Sequence, residues 1–417
     1  MQVIDRNKKK VSGWEALRQP AYRNYTLGSA VSWTGDWLDL TALNWAVLEM
    51  SGSPIDLGII NACRTLPVFF LSYPAGALAD LYDRRRLIFR LQAVVMVLTV
   101  IVGLLIQQGT TFWMFALVVF IRAICNAMVI PIRNSFASNL VPKELIGSGT
   151  AVQSTIMNLA RILGPALAGW LLSIWATPYI FYLNALSFVF VLYTLVRLEG
   201  MSNQRPIGKK LSRKVFSEVF GYLMSHPSLK ALLALSVFPM VFGFPYTTMM
   251  PLFVRDVFLG GPETLGLLLS VAAVGALVGA WGAAKFSSLP NQGAWMLAMI
   301  GVFGGSLCGL SVSRNSLWIF AMMFLVGLSG QLYRTLNRMA FQVAVPDEMR
   351  GRVLSIALMD RGFIPVGSLL IGVVAQYYGA SASLVFMGGA CLLVALGVLF
   401  LSPSLRRMSF SEIADAP

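Results

Sequence analysis

Gly76-Ala77-Leu78-Ala79-Asp80-Leu81-Tyr82-Asp83-Arg84-Arg85-Arg86 is the stretch on which the reading of this chain turns. An apolar run from Leu57 to Ala79 feeds into it, and a second run from Leu87 to Ile106 leaves it. A helix–loop–helix this short, closing on three arginines, predicts a tight turn on the cytoplasmic side of a membrane, because positive charge at the ends of spans is retained there. The small residues Gly76, Ala77 and Ala79 let two helices approach closely. An acid at the start of the following helix is favoured by the helix dipole.

The rest of the composition agrees. Of 417 residues, 57% are hydrophobic and only 12% are charged, against roughly 25% charged in a soluble chain. Mean hydropathy is +0.72. Runs of about 20 apolar residues recur along nearly the whole length, which predicts an all-α polytopic membrane protein. The net charge of +14 does not indicate nucleic-acid binding, since the basic residues fall in short loops between spans rather than on one face of a domain. Cys63, Cys125, Cys308 and Cys391 stand far apart within apolar runs and read as buried hydrophobes. No metal site or cofactor is expected. His226, the one histidine, precedes Pro227 in a loop, which argues against a zinc site or a catalytic triad. Residues 1–20 are polar and basic and show no cleavable leader.

About 12 transmembrane helices are expected, at 22–49, 54–80, 85–107, 111–135, 144–174, 178–198, 229–256, 262–286, 290–313, 315–343, 351–378 and 380–402. Basic residues alternate across them. One set of segments carries Lys8, Lys9, Lys10, Arg18 and Arg23, then Arg84 to Arg86, Arg133, Lys143, Lys209, Lys210, Arg213, Lys214, Lys285, Arg350, Arg352, Arg406 and Arg407. The opposite set holds little beyond Glu49, Arg255, Asp256, Glu263 and Arg314. Both termini are therefore expected to be cytoplasmic. The chain divides into a cytoplasmic N-terminal segment 1–21, a six-helix bundle 22–198, a central cytoplasmic loop 199–228, a second six-helix bundle 229–402 and a tail 403–417. In the loop, Val215, Phe216, Val219, Phe220 and Leu223 repeat at helical spacing and suggest an amphipathic helix along the membrane face.

The halves echo each other. Val141-Pro142-Lys143-Glu144-Leu145 resembles Val345-Pro346-Asp347-Glu348-Met349, and Arg161-x-x-x-Pro165 matches Arg361-x-x-x-Pro365. The offset is 204 residues for Pro142 and Pro346 and 200 for Arg161 and Arg361. That slip is about one helical turn.

Ionisable groups inside spans are costly, so each is a functional candidate. Asp36 and Asp39 share a face of the first span, three residues apart. Two carboxylates so close in a poorly solvated site resist being ionised together, which suits a proton carrier; a packing ion pair with an in-span arginine is the plainer alternative. Arg64, Arg122 and Arg161 are the possible partners, and Arg is never neutral in proteins. Asp360 and Arg361 are adjacent in the eleventh expected span, and Arg334 and Arg338 lie near the end of the tenth. Trp33, Trp37, Asn44, Asn61, Asn126, Asn158, Phe244, Tyr246, Gln331 and Tyr333 are candidates for a substrate cavity, although most aromatics in such a chain pack or anchor.

The opening stretch resembles the signature of the major facilitator superfamily, in which Gly, then Asp four residues on, then a basic cluster mark the loop between helices two and three. Gly76, Asp80, Arg84 and Arg85 stand where that signature wants them, while Leu81 replaces an Arg and Asp83 a Gly. Arg122 resembles a fourth-span Arg of proton-coupled members, with Asn126 where a Gly often follows. Gly164-Pro165-Ala166-Leu167-Ala168-Gly169 resembles the fifth-span motif of exporters, with Ala160 in place of its leading Gly. Gly35-Asp36-Trp37, Ala62-Cys63-Arg64-Thr65-Leu66-Pro67, Pro131-Ile132-Arg133, His226-Pro227, the segment from Pro346 to Val353 and Arg361-Gly362 extend the likeness over nearly the whole chain, to the branch with macrolide-efflux and enterobactin-exporter proteins.

The resemblance implies the major facilitator fold in the cytoplasmic membrane of a bacterium. It implies export of a small amphiphilic, drug-like or siderophore-like compound by alternating access, in antiport with protons. A lysophospholipid carrier of the same fold is the alternative. A membrane enzyme or receptor is remote, since no nucleophile–base or metal constellation appears and every expected outer loop is short. Asp36, Asp39, Arg64, Arg122, Arg161, Asp360 and Arg361 would serve proton coupling or substrate. Gly76, Asp80, Asp83, Arg84 and Arg85 would gate, and Gly164, Pro165 and Gly169 would shape the outward-closing helix contact. The expected partners are the substrate, protons and membrane lipids, without nucleic acid, and the chain is expected to act as a monomer.

Overall fold

The structure, a computed structural model, describes residues 13–198, 221, 223–312, 314–345, 349, 353, 358–406 and 408–409, with the side chains of 72–81, 358, 359, 361 and 404 outside the description. The amphipathic segment before Leu223, the side chains of Gly76, Asp80 and Arg361, and the repeat at 346–348 therefore lie outside the described residues.

Proline, glycine and cap residues punctuate the helices. Helix α1, Pro20–Ser51, starts on a proline and stops at Gly52, whose φ of 64° is natural for a residue without Cβ. Helix α2, Pro54–Leu81, follows at once. Asp83 then caps α3, Arg84–Gln107, by accepting from the Arg86 backbone N–H at 3.1 Å, so the acid that departs from the signature has a structural task. Helices α4, Phe112–Asn139, and α5, Ile146–Ile174, run through internal prolines at Pro131 and Pro165. Helix α6, Thr177–Arg197, closes the first half.

The second half opens with α7, Pro227–Phe242, which breaks at Gly243-Phe244-Pro245 and resumes as α8, Tyr246–Phe253, followed by a wider turn at Val254–Phe258. The expected seventh span is thus discontinuous. A Cβ on Gly243 would meet Phe303 at 2.5 Å and Cys391 Sγ at 2.9 Å, and Pro245 has no N–H to continue the ladder. Helices α9, Pro262–Phe286, α10, Gln292–Gly309, and α11, Ser316–Ala344, come next. A short turn at Leu358–Phe363 leads to α12, Ile364–Leu401, which is interrupted at Gly379 with φ 83°. Arg361 therefore lies in the turn before a helix begins, whereas its counterpart Arg161 lies inside one.

Among the described residues, ten segments are long and apolar enough to cross a membrane. Helix α1 spans 32 residues but is not one of them, because its acids, amides and hydroxyls dilute its apolar surface. Leu183, Leu186, Phe190 and Tyr193 on α6, and Leu159, Leu163, Leu167 and Trp170 on α5, are exposed at helical spacing, as lipid-facing stripes require.

Within the first half α1 packs on α5 and α6, α3 on α4 and α6, and α2 on α4; within the second, α9 and α10 pack on α11, and α12 on α7 and α10. The halves meet along two seams, α5 with α9 and α2 with α12. Both seams rest on glycine at the end remote from the chain termini. A Cβ on Gly266 would meet Pro165 O at 2.2 Å, one on Gly169 would meet Pro262 O at 2.5 Å, and one on Gly58 would meet Ser368 O at 2.6 Å. Ser270 Oγ donates across the first seam to Ile162 O at 2.6 Å, and Arg255 reaches Leu48 O at 3.4 Å.

Replacing Gly266 with Leu should wedge α5 from α9. Spin labels at Ser173 and Glu263 should then report a longer distance by double electron–electron resonance, and an unchanged distance would show the seam to be looser than described.

Candidate functional site

The site begins with one ion pair. Arg122 on α4 holds Asp39 on α1 through both guanidinium nitrogens, Nη1 to Oδ1 at 2.7 Å and Nη2 to Oδ2 at 2.9 Å. Nη1 also donates to Thr99 Oγ1 on α3 at 3.4 Å. Arg122 is 4% and Asp39 5% exposed. This fork-to-fork geometry is the strong form of a charged hydrogen bond.

One turn along α1, Asp36 is in a different situation. Its carboxyl makes no hydrogen bond or salt bridge among the described residues, and it opens on a cavity of about 230 Å³. Asp39, Arg64, Gln92, Arg122, Asn126 and Arg133 share that cavity, which sits among α1, α2, α3 and α4. The guanidinium of Arg133 lies over the Trp33 ring at 5.2 Å. Tyr25, Ser29, Ser32 and Trp33 run down the same helix, each with a buried polar atom that has no partner among the described residues.

Each half also stacks an arginine on an aromatic ring. Arg161 of α5 lies over the Trp37 ring at 5.8 Å, and Arg334 of α11 lies over the Phe244 ring at 5.0 Å. Phe244 stands in the break between α7 and α8, next to the buried Tyr246 that opens α8. Discontinuous helices at mid-membrane are a usual place for substrate.

The expected residues therefore separate. Asp36, Asp39, Arg64, Arg122 and Asn126 share one cavity, and Trp33 and Trp37 carry arginines. Asn44 and Asn61 instead bond each other at 2.6 Å and tie α1 to α2. Asn158 turns back on Ser154 O, and Gln331 reaches Thr335 Oγ1. Asp360 is buried in the turn before α12. Arg85 donates to Leu195 O at 3.1 Å and ties the start of α3 to the end of α6. Gly164 lets α5 approach α1, since a Cβ there would meet Trp37 Cβ at 2.5 Å.

Two residues were misjudged or passed over. Arg133, counted among the cytoplasmic-side charges near the end of the expected span 111–135, is buried inside α4, which continues through Pro131 to Asn139. Gln92 was not considered; a buried amide on an otherwise apolar helix is the signal that marks it.

The comparisons complete the picture. The profile of the transmembrane secretion effectors matches residues 11–416. The chain belongs to the transmembrane secretion effector family of the major facilitator superfamily. It is 30% identical over 379 residues to the staphyloferrin A transporter of Staphylococcus aureus, covering 89% of this chain and 94% of that one. With macrolide efflux protein A of Streptococcus pyogenes it shares 24% identity over 394 residues, covering 90% and 96%. The crystal structure of the nucleoside transporter NupG superposes with a TM-score of 0.73 at 13% identity, covering 95% of this chain and all of the other, which shows a common fold. This family member is a multi-pass bacterial membrane transporter and not an enzyme.

Removing one partner of a buried pair leaves the other charge stranded, at a cost of about 3–5 kcal/mol. Arg122→Ala should therefore lower the unfolding temperature in detergent far more than the double variant Asp39→Asn with Arg122→Gln. Equal losses would mean the pair adds no coupling.

Proposed function

We propose that this transporter exports a small amphiphilic solute in exchange for protons, by alternating access between two six-helix bundles. Twelve spans follow if α1 is counted, α7 and α8 are taken as one broken span, and α12 is divided at Gly379. Both termini then lie in the cytoplasm, and the glycine seams close the outer end.

One observation carries the coupling: two acids on the same face of α1 have opposite surroundings. Asp39 is clamped by Arg122 on both oxygens, while Asp36 faces a cavity between unclamped arginines. A proton arriving at Asp36 cancels its charge, and the repulsion among Arg64, Arg122 and Arg133 is then less balanced. Losing the proton restores the attraction between α1 and the arginines of α2 and α4. Charge at Asp36 thus changes how tightly the first bundle is drawn together, which is the handle an exchanger requires. Asp39, held on both oxygens by Arg122, fixes the register of α1 against α4.

The relatives support export rather than uptake. Staphyloferrin A and macrolides, from the names of two relatives, are the first cargo to test. Lysophospholipid transport has no observation in its favour here.

In inside-out vesicles with an imposed pH gradient, adding the right cargo should dissipate the gradient, read by a quenched acridine dye. Asp36→Asn should abolish that response and uphill accumulation while the protein still inserts. Cargo-driven proton movement that survives in Asp36→Asn would remove Asp36 from the mechanism, and no proton movement with any cargo would remove antiport.

A further inference from the structure

A hydroxyl on a membrane-spanning helix ordinarily bonds back to the carbonyl one turn earlier. Thr34 and Thr41 of α1 do so, donating to Ala30 O at 3.0 Å and to Trp37 O at 3.2 Å. Ser29 and Ser32 of the same helix do not. Both are 1% exposed, and neither hydroxyl has a partner among the described residues. They fall on a line with the residues around them. Tyr25, Ser29, Ser32, Asp36 and Asp39 follow one another at steps of four, three, four and three, so they share one face of α1.

That face looks onto α4 and α3. Phe136 of α4 meets the Tyr25 ring edge-on at 5.2 Å, Arg133 lies over Trp33, and Arg122 holds Asp39, so α4 accompanies α1 along the whole line. Helix α3 contributes Gln92, 2% exposed, which lines the cavity of Asp36. Besides the two serines, Tyr25, Trp33, Gln92 and Arg133 each leave a buried polar atom without a partner among the described residues. Such groups are costly to strand, and buried water is what ordinarily answers them. The cavity of about 230 Å³ has room for several water molecules, each taking about 30 Å³ in the liquid.

We propose that this seam is a proton route: a file of water and hydroxyl groups along α1 that links Asp36 to the end of the molecule bearing the chain termini. It runs inside the first half, apart from the space between the halves that cargo crosses, and it rests on the reading of Asp36 as the proton carrier. The spacing suits it. Three or four residues of helix rise about 4.5–6 Å, and a water bridging two oxygens through hydrogen bonds of about 2.8 Å spans about 5.6 Å. One water therefore fits each gap from Asp36 to Ser32, Ser29 and Tyr25. A hydroxyl both donates and accepts. The proton that leaves Asp36 is taken by the first water, each member passes one proton on, and the last is delivered to solvent; only Asp36 ends with a changed charge. Tyr25 is the final member, five residues after α1 starts at Pro20. The glycine seams hold the halves together at the opposite end, so release toward the termini suits this conformation. The charged groups facing Asp36 are Asp39, Arg64, Arg122 and Arg133, from α1, α2 and α4, while α3 offers the neutral Gln92. Arg133 stands beside the file, and a fixed cation there raises the barrier to an excess proton, which makes the file a slow relay and not an open channel.

The test uses the purified full-length protein in detergent, without cargo. A stopped-flow pH step followed by infrared spectroscopy reads the carboxyl band of Asp36, identified by its loss in Asp36→Asn. In the double variant Ser29→Ala with Ser32→Ala the rate of change of that band should fall about tenfold, as for a barrier raised by one missing hydrogen bond. Thr34→Val removes a hydroxyl of the same helix that lies off the line, and should leave the rate as it is. Radiolytic hydroxyl labelling with mass spectrometry reads the water itself. Normalised to the unfolded chain, Tyr25 and Trp33, 2% and 4% exposed, should label several-fold faster than Phe115 and Phe181, which are fully buried in the apolar core. Labelling is read in the wild-type protein, so it decides even where the double variant fails to fold. A rate unchanged without the serines, an equal slowing in Thr34→Val, or Tyr25 and Trp33 labelling no faster than the phenylalanines overturns the route and leaves Asp36 a carrier served from between the halves. An Asp36 band that ignores pH removes the carrier reading itself, and the route with it.

Discussion

The constraint beneath this structure is that charge inside a membrane must be answered by charge. Asp39 and Arg122 answer each other at 2.7 and 2.9 Å, both nearly closed to solvent. In surroundings of low polarity their attraction is large, and so is the penalty for separating them. The pair fixes α1 against α4, and Thr99 brings in α3. Once three helices are held this way, the neighbouring Asp36 has a rigid frame to work against.

Much of this was legible in the chain. Apolar runs and alternating basic loops located the helices to within a few residues at most ends, because span length and charge retention are strong physical constraints. The two acids of α1 and Arg122 stood out since ionisable groups in spans are rare. Arg133, two residues from the end of the expected span 111–135, reads as a topology marker, because a basic residue near the end of an apolar run usually is one. Nothing local distinguishes it from one that turns inward; only the ring of Trp33, 100 residues earlier, does so. The break at Gly243-Phe244-Pro245 was equally hidden, although glycine and proline were both in view, because Pro131 and Pro165 sit in helices that continue. What differs is the crowding of Phe303 and Cys391 against Gly243, a tertiary fact.

The likeness between the halves is likewise only partly structural. Arg161 sits in the middle of α5, with Trp37 of α1 beneath it, whereas the matching Arg361 lies in a turn that precedes α12. Arg334, on α11, is stacked on Phe244 as Arg161 is on Trp37.

The seams between the halves are made of backbone lying on backbone, with Gly58, Gly169 and Gly266 lying against main-chain carbonyls of the partner helix. Such contacts carry few side-chain rotamers to disentangle, so sliding apart involves little of the friction that interlocked large residues create. It also confines substitution: each of these positions tolerates almost no added bulk without pushing the two halves apart.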